Sequence, residues 1–132
     1  MRHGTLLVAA AYVMSGISIC WPLEPTTYDL LATRSGGGVE RVQVKTTTYR
    51  ASGTWICSVS RSRYTAGGHK ERVAYDPSEI DVFAVVDGDL AVYLIPSGLL
   101  IGARRVSLRR FAAHRVDTPW STALATLACG CR

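Results

Sequence analysis

The sequence predicts an α/β domain: a central mixed sheet of about five strands with an N-terminal helix packed on one face. Three observations predict it. Residues 6–14 form an uninterrupted apolar run closed by Ser15-Gly16, as a buried helix and its C-terminal stop would read. Two runs rich in β-branched and apolar residues, 28–33 and 39–47, flank the glycines at 36–38, the pattern of a β-hairpin. Residues 80–86 and 90–95 repeat that pattern around Asp87-Gly88-Asp89, whose Asp-Gly step favours a tight turn.

In chain order, the apolar run comes first. With Arg2 and His3 before it, it imitates a signal peptide. It is too short to span a bilayer as a mature helix, and Ile19 before Cys20 is not the small residue a lipoprotein cleavage site needs. The expectation is therefore a helix buried on the sheet, in a cytoplasmic protein without membrane association. Residues 17–21 read as a short strand ended by Pro22 and Pro25, and the first hairpin follows. A third strand, 55–59, arrives through a turn at Ser52-Gly53. Residues 60–79 are the least apolar stretch and read as a long cationic loop, a length and composition that suit function. The same stretch is long enough to connect parallel strands. After the second hairpin, closed by Pro96-Ser97-Gly98, residues 104–110 read as a last strand running into a short helix through Phe111 and His114. From Val116 onward the composition drifts to Thr, Ala and Leu. The expected organisation is one domain over 1–116 and a C-terminal tail over 117–132.

A chain of 132 residues that is 48% hydrophobic can bury a core without staples and is set apart from disordered chains. Its net charge of +5 and pI near 9.3 favour an anionic partner. Thirteen of the fifteen cations are arginine, the side chain that grips phosphate with two parallel hydrogen bonds. Cys20, Cys57, Cys129 and Cys131 show no zinc-finger spacing. Cys20 and Cys57 sit in apolar runs and read as buried free thiols, which fits a reducing compartment. His3, His69 and His114 are widely separated and receive no catalytic role. The acids between Asp76 and Asp81 read as a turn or cap.

The chemistry-bearing set is Asp29, Gln43 and Lys45. Alternation along the second strand puts Val42 and Val44 on one face and Arg41, Gln43 and Lys45 on the other, which is expected to point away from the core. Whether Asp29 joins them depends on register. Pairing Arg34 with Val39 sets Asp29 opposite Val44; pairing Arg34 with Glu40 sets it opposite Lys45. Bringing the carboxylate to the polar face requires an odd loop or a bulge, which the glycines make easy to build.

Tyr28-Asp29-Leu30, then Arg41-Val42-Gln43-Val44-Lys45-Thr46, then Val92-Tyr93-Leu94-Ile95-Pro96 resemble the PD-(D/E)XK nuclease superfamily over roughly residues 4–111. The resemblance is to a branch with Gln in place of the usual second acid, which includes group I intron-associated homing endonucleases. Holliday junction resolvases share its core. The resemblance implies a restriction-endonuclease-like core and a metal-dependent DNA endonuclease. It implies that Asp29, Gln43 and Lys45 are catalytic, and that Asp29, Gln43 and the Val44 carbonyl hold Mg2+ or Mn2+. Lys45 would orient or deprotonate the attacking water, or stabilise charge on the phosphate. One position departs from the pattern. Where such nucleases commonly carry a glutamate on the first helix, close after a glycine that here is Gly4, this chain has Thr5. Glu24 is the first acid available to substitute for it.

DNA, branched forms included, is the expected partner, with Arg41, Arg50, Arg61, Arg63, Lys70 and Arg72 meeting phosphates and Tyr64 a candidate to stack on an unpaired base. Selective cutting implies a homodimer or larger homo-oligomer. The alternative is a DNA-binding protein of nuclease fold without turnover.

Overall fold

The computed structural model describes residues 3–34 and 36–120. The tail residues 121–132, with Cys129 and Cys131, lie outside the described residues. Helix α1 (His3–Met14) is followed by strands β1 (Ile19–Cys20), β2 (Leu30–Thr33), β3 (Val39–Thr46), β4 (Arg50–Ala51), β5 (Thr54–Ser58), β6 (Ser60–Tyr64), β7 (Lys70–Ala74), β8 (Val82–Val86), β9 (Val92–Pro96), β10 (Arg105–Ser107) and β11 (Arg115–Val116). Two 3₁₀ segments, Ser97–Leu100 and Leu108–His114, lie among the last strands. Among the described residues no helix is long and apolar enough to cross a membrane.

The main sheet runs β1-β2-β3-β8-β9-β11, six strands rather than the five expected. Its pairs are antiparallel except β3 with β8, which are parallel and aligned Val42 with Val82 through Thr46 with Val86. A three-stranded sheet, β10-β5-β4, and the two-stranded β6-β7 complete the structure. The mixed sheet follows from the sequence. β8 reads Val-Phe-Ala-Val-Val and is buried at every position, the composition of a central strand covered on both faces.

One face of the sheet packs on α1. Val8, Ala9 and Tyr12 meet Leu30, Ala32, Val42, Val44, Ala84 and Val92 in one core. Gly4 allows the close approach: a Cβ there would stand 2.2 Å from Thr46 Cγ2. The helix ends where the sequence places its stop. Gly16 takes φ +81, and the N–H groups of Gly16 and Ile17 donate to the Val13 and Tyr12 carbonyls, each at 3.0 Å, a Schellman closure.

The other face is covered too, which corrects the expectation that the Arg41, Gln43 and Lys45 face points away from the core. Phe83, Val85, Tyr93 and Ile95 form a second core with Cys57, Val59, Ile80, Leu100 and Leu108. Gln43 lies beside Phe83 in the parallel register and is only 6% exposed.

Three further expectations are corrected. Residues 60–74 are a β-hairpin rather than a loop, pairing Ser60 with Ala74 through Tyr64 with Lys70. Its turn is closed by Thr65 N–H donating to the His69 carbonyl at 2.8 Å. Cys20 is exposed, whereas Cys57 is a buried free thiol, and burial pushes its pKa up to about 11. The first hairpin takes neither register considered above: Leu30 pairs with Val42 and Thr33 with Val39. Arg34 N–H donates to the Gly38 carbonyl at 3.0 Å, so an odd number of positions separates the two paired residues.

Candidate active site

The register leaves a gap that the site fills. β2 begins at Leu30, opposite Val42, so Val44, two residues further along β3 and turned toward the same neighbour, has no residue of β2 to bond. Asp29 supplies the partner. Its N–H donates to the Val42 carbonyl at 2.8 Å, one step out of the ladder, as at a bulge. Its Oδ2 accepts from Val44 N–H at 2.8 Å and from Gln43 Nε2 at 2.8 Å. The same Gln43 Nε2 lies 3.3 Å from the Val44 carbonyl. Asp29, Gln43 and the Val44 backbone therefore converge on one side of the sheet.

This donor set fits a hard divalent cation. The Asp29 carboxylate and the Val44 carbonyl both accept from the Gln43 amide nitrogen; carboxylate, carbonyl and amide oxygens are the ligand type Mg2+ and Mn2+ prefer. Asp29 is the one charged member. Among the described residues there is no cluster of three or more His, Cys, Asp or Glu that could hold a metal ion.

Lys45 is fixed separately. Its Nζ donates to the Tyr75 hydroxyl at 2.9 Å and to the Ser60 carbonyl at 3.2 Å. Tyr75 is held edge-on to Phe83, with ring centroids 5.3 Å apart. Sequence reasoning missed Tyr75, which stands just past the cationic hairpin and belongs to no motif.

Asp29, Gln43 and Lys45 line one cleft of about 1120 Å³. Thr5 lines it as well and is 7% exposed, so the departure from the nuclease pattern lies within the site. Glu24 is exposed and does not line the cleft. The loop after β1 contributes Trp21, Pro22 and Pro25 to its lining, and the β6–β7 hairpin contributes Arg61, Ser62 and Arg72.

Of the six cations expected to meet phosphate, Arg61 and Arg72 line this cleft. Arg41 does not. Its Nε and Nη2 bond the two Asp81 carboxylate oxygens at 3.0 and 3.1 Å, its backbone N–H donates to Asp81 at 2.7 Å, and Nη1 reaches the Ser78 carbonyl. The guanidinium holds the Asp81 carboxyl below the usual carboxylate range. Arg41 thus ties β3 to the start of β8. Arg50 lies 4.6 Å over the Trp55 ring and donates to the Gly53 carbonyl, and Arg63 pairs with Glu71. Lys70 and Tyr64 are cross-strand partners near the hairpin tip, outside the cleft lining. The acids from Asp76 form a turn as expected, with Asp76 Oδ1 accepting from Ser78 N–H at 2.9 Å.

Comparison with known proteins agrees with this architecture. A family model described as PD-(D/E)XK endonuclease matches residues 3–124. The chain is similar in fold to a bacterial homing endonuclease of solved structure, with a TM-score of 0.67 and 18% identity over 98% of this chain and 93% of that one. No curated protein matches.

Proposed function

Because the chain belongs to the PD-(D/E)XK endonuclease family, we propose that it is a DNA endonuclease, hydrolysing phosphodiester bonds with the help of Mg2+ or Mn2+. The proposed catalytic domain spans residues 1–116. The observation that carries the reading is the convergence of Asp29 Oδ2 with Gln43 Nε2 and Val44 N–H, each at 2.8 Å, in a cleft that Lys45 also lines.

Asp29, Gln43 and the Val44 carbonyl would hold the cation, which when bound polarises a phosphoryl oxygen and makes its water more acidic. With one carboxylate among the ligands, the site binds metal more weakly before DNA arrives, and the substrate phosphate supplies the missing charge. Lys45 is an ammonium with two of its N–H groups committed to Ser60 and Tyr75. Its remaining N–H and its charge serve the scissile phosphate, stabilising negative charge as it builds. Arg61 and Arg72 hold phosphates to either side and position the strand.

Site-selective cutting is supported by the fold shared with a homing endonuclease; junction cutting of the resolvase kind is the structure-selective form of the same chemistry. Both need two centres, so a homodimer or larger assembly belongs to this reading. The test is cleavage of supercoiled plasmid, linear duplex and a four-way junction with Mg2+ or Mn2+, beside Asp29→Ala and Lys45→Ala. Cutting that both substitutions abolish supports the enzyme; cutting that survives both refutes it.

Thr5 favours a second reading. A buried threonine faces the cleft where the resemblance leads one to expect a carboxylate. A DNA-binding protein of nuclease fold without turnover would show tight, salt-sensitive binding and no cutting under any metal.

A further inference from the structure

We propose that the loop between β1 and β2 is a stacking site for a DNA base displaced from its duplex, with Trp21 as the platform and Leu23 as a wedge beside it. The proposal rests on the nuclease reading for its ligand and specifies the form of DNA the cleft accepts.

Two segments of different chemistry line the cleft. The hairpin gives Arg72 and its cross-strand partner Ser62, and the loop after β1 gives Trp21 and the prolines. A single nucleic-acid strand carries the matching pair of groups, phosphates along one edge and bases along the other. With its phosphates on Arg72, a base of the same strand can lie on Trp21. Trp21 is 40% exposed and Leu23 is 102% exposed, so water covers apolar surface that a ligand would cover better. Pro22 and Pro25 fix backbone torsions on both sides of Leu23, which limits the loop's freedom to fold these side chains inward. The Thr26 hydroxyl donates to the Tyr28 carbonyl at 2.6 Å, fastening the loop directly before Asp29. A base stacked on the indole would therefore sit at a set distance along the strand from the carboxylate.

A paired base inside a duplex has both faces covered by its neighbours and offers nothing to an indole. An unpaired or tilted base offers a free face, and an aromatic platform gains from it whatever the base. Leucine inserted at the neighbouring step props that step open. The stacking site thus favours locally opened DNA whatever the displaced base.

The test is equilibrium binding of the full chain, in EDTA so that the DNA stays whole, to two short duplexes of equal sequence, one fully paired and one with a single unpaired base. Wild-type protein is expected to bind the second about tenfold more tightly. Trp21→Ala is expected to reduce that ratio to about one, a readout in which any loss common to both duplexes cancels. Trp21→Phe restores the ratio, and Arg72→Ala weakens both duplexes alike. Equal binding of the two duplexes by wild type, or an unchanged ratio in Trp21→Ala, overturns the stacking site alone. Failure of wild type to bind either duplex overturns the DNA reading and the stacking site together.

Discussion

The Lys45 ammonium lies 2.9 Å from the Tyr75 hydroxyl, so a residue just past the β6–β7 hairpin holds the cation of β3. Tyr75→Phe removes this contact and keeps the ring packed against Phe83. The expected result is a drop in cleavage rate of about 10- to 100-fold, with DNA affinity and melting temperature nearly unchanged. Single-turnover cleavage by wild type and Tyr75→Phe measures this; an unchanged rate would show that Lys45 does not depend on the Tyr75 hydroxyl.

Asp29 has two duties that substitutions can separate. Asp29→Ala removes the charge and the acceptor for Val44 N–H. It should abolish cleavage and also destabilise the fold by about 1–3 kcal/mol, as an unpaired donor at the end of the ladder does. Asp29→Asn keeps an oxygen acceptor, so it should abolish cleavage at little cost in stability. Urea unfolding beside a cleavage assay distinguishes them.

Thr5→Glu adds a carboxylate to a cleft whose proposed metal ligands carry a single charge. Divalent affinity without DNA should rise about tenfold, the scale on which ligand charge tunes such sites. Stability without metal should fall, because position 5 is buried and an uncompensated carboxylate there is costly. Calorimetric titration with Mn2+ reads the first effect and thermal melting the second.

The Arg41–Asp81 pair makes stability depend on pH with a definite sign. The Arg41 hydrogen bonds lower the folded pKa of Asp81 below its unfolded value of about 3.9. The stabilisation is therefore present above about pH 4 and is lost as pH falls through the lower, folded value. Wild type should melt higher than Asp81→Asn at neutral pH, and the gap should close in acid. A gap that is constant from neutral pH to pH 2 would show that the pair does not carry this linkage.

Much of the fold is legible in the sequence, because local patterns determine it. The helix stop at Gly16, the first hairpin and the Asp87-Gly88 turn each announce themselves within a few residues. Asp87 confirms its part: its Oδ1 accepts from the N–H groups of Asp89 and Ala91 at 2.9 and 3.0 Å. The β6–β7 hairpin is not legible. Its strand Ser-Arg-Ser-Arg-Tyr is exposed at every position after Ser60 and so lacks the apolar alternation that marks a half-buried strand. The burial of Gln43 also escapes the sequence, since its neighbours Asp29 and Phe83 come from other segments of the chain. The grouping of Asp29, Gln43 and Val44 is readable as a requirement for an odd loop, but the register that meets it depends on a backbone bond between Arg34 and Gly38. Arg41 shows the limit of charge patterning: its spacing matches a phosphate contact, and its guanidinium is spent on Asp81.

The parallel pairing of β3 with β8 delays assembly. A nascent chain leaving the ribosome displays Asp29, Gln43 and Lys45 early, yet Tyr75 and the whole of β8 are still to be synthesised, and Arg41 waits for a carboxylate 40 positions on. Closing so long a connection is slow compared with forming a hairpin. The candidate site is therefore completed late in translation, and a truncated product would carry its motif without its cleft.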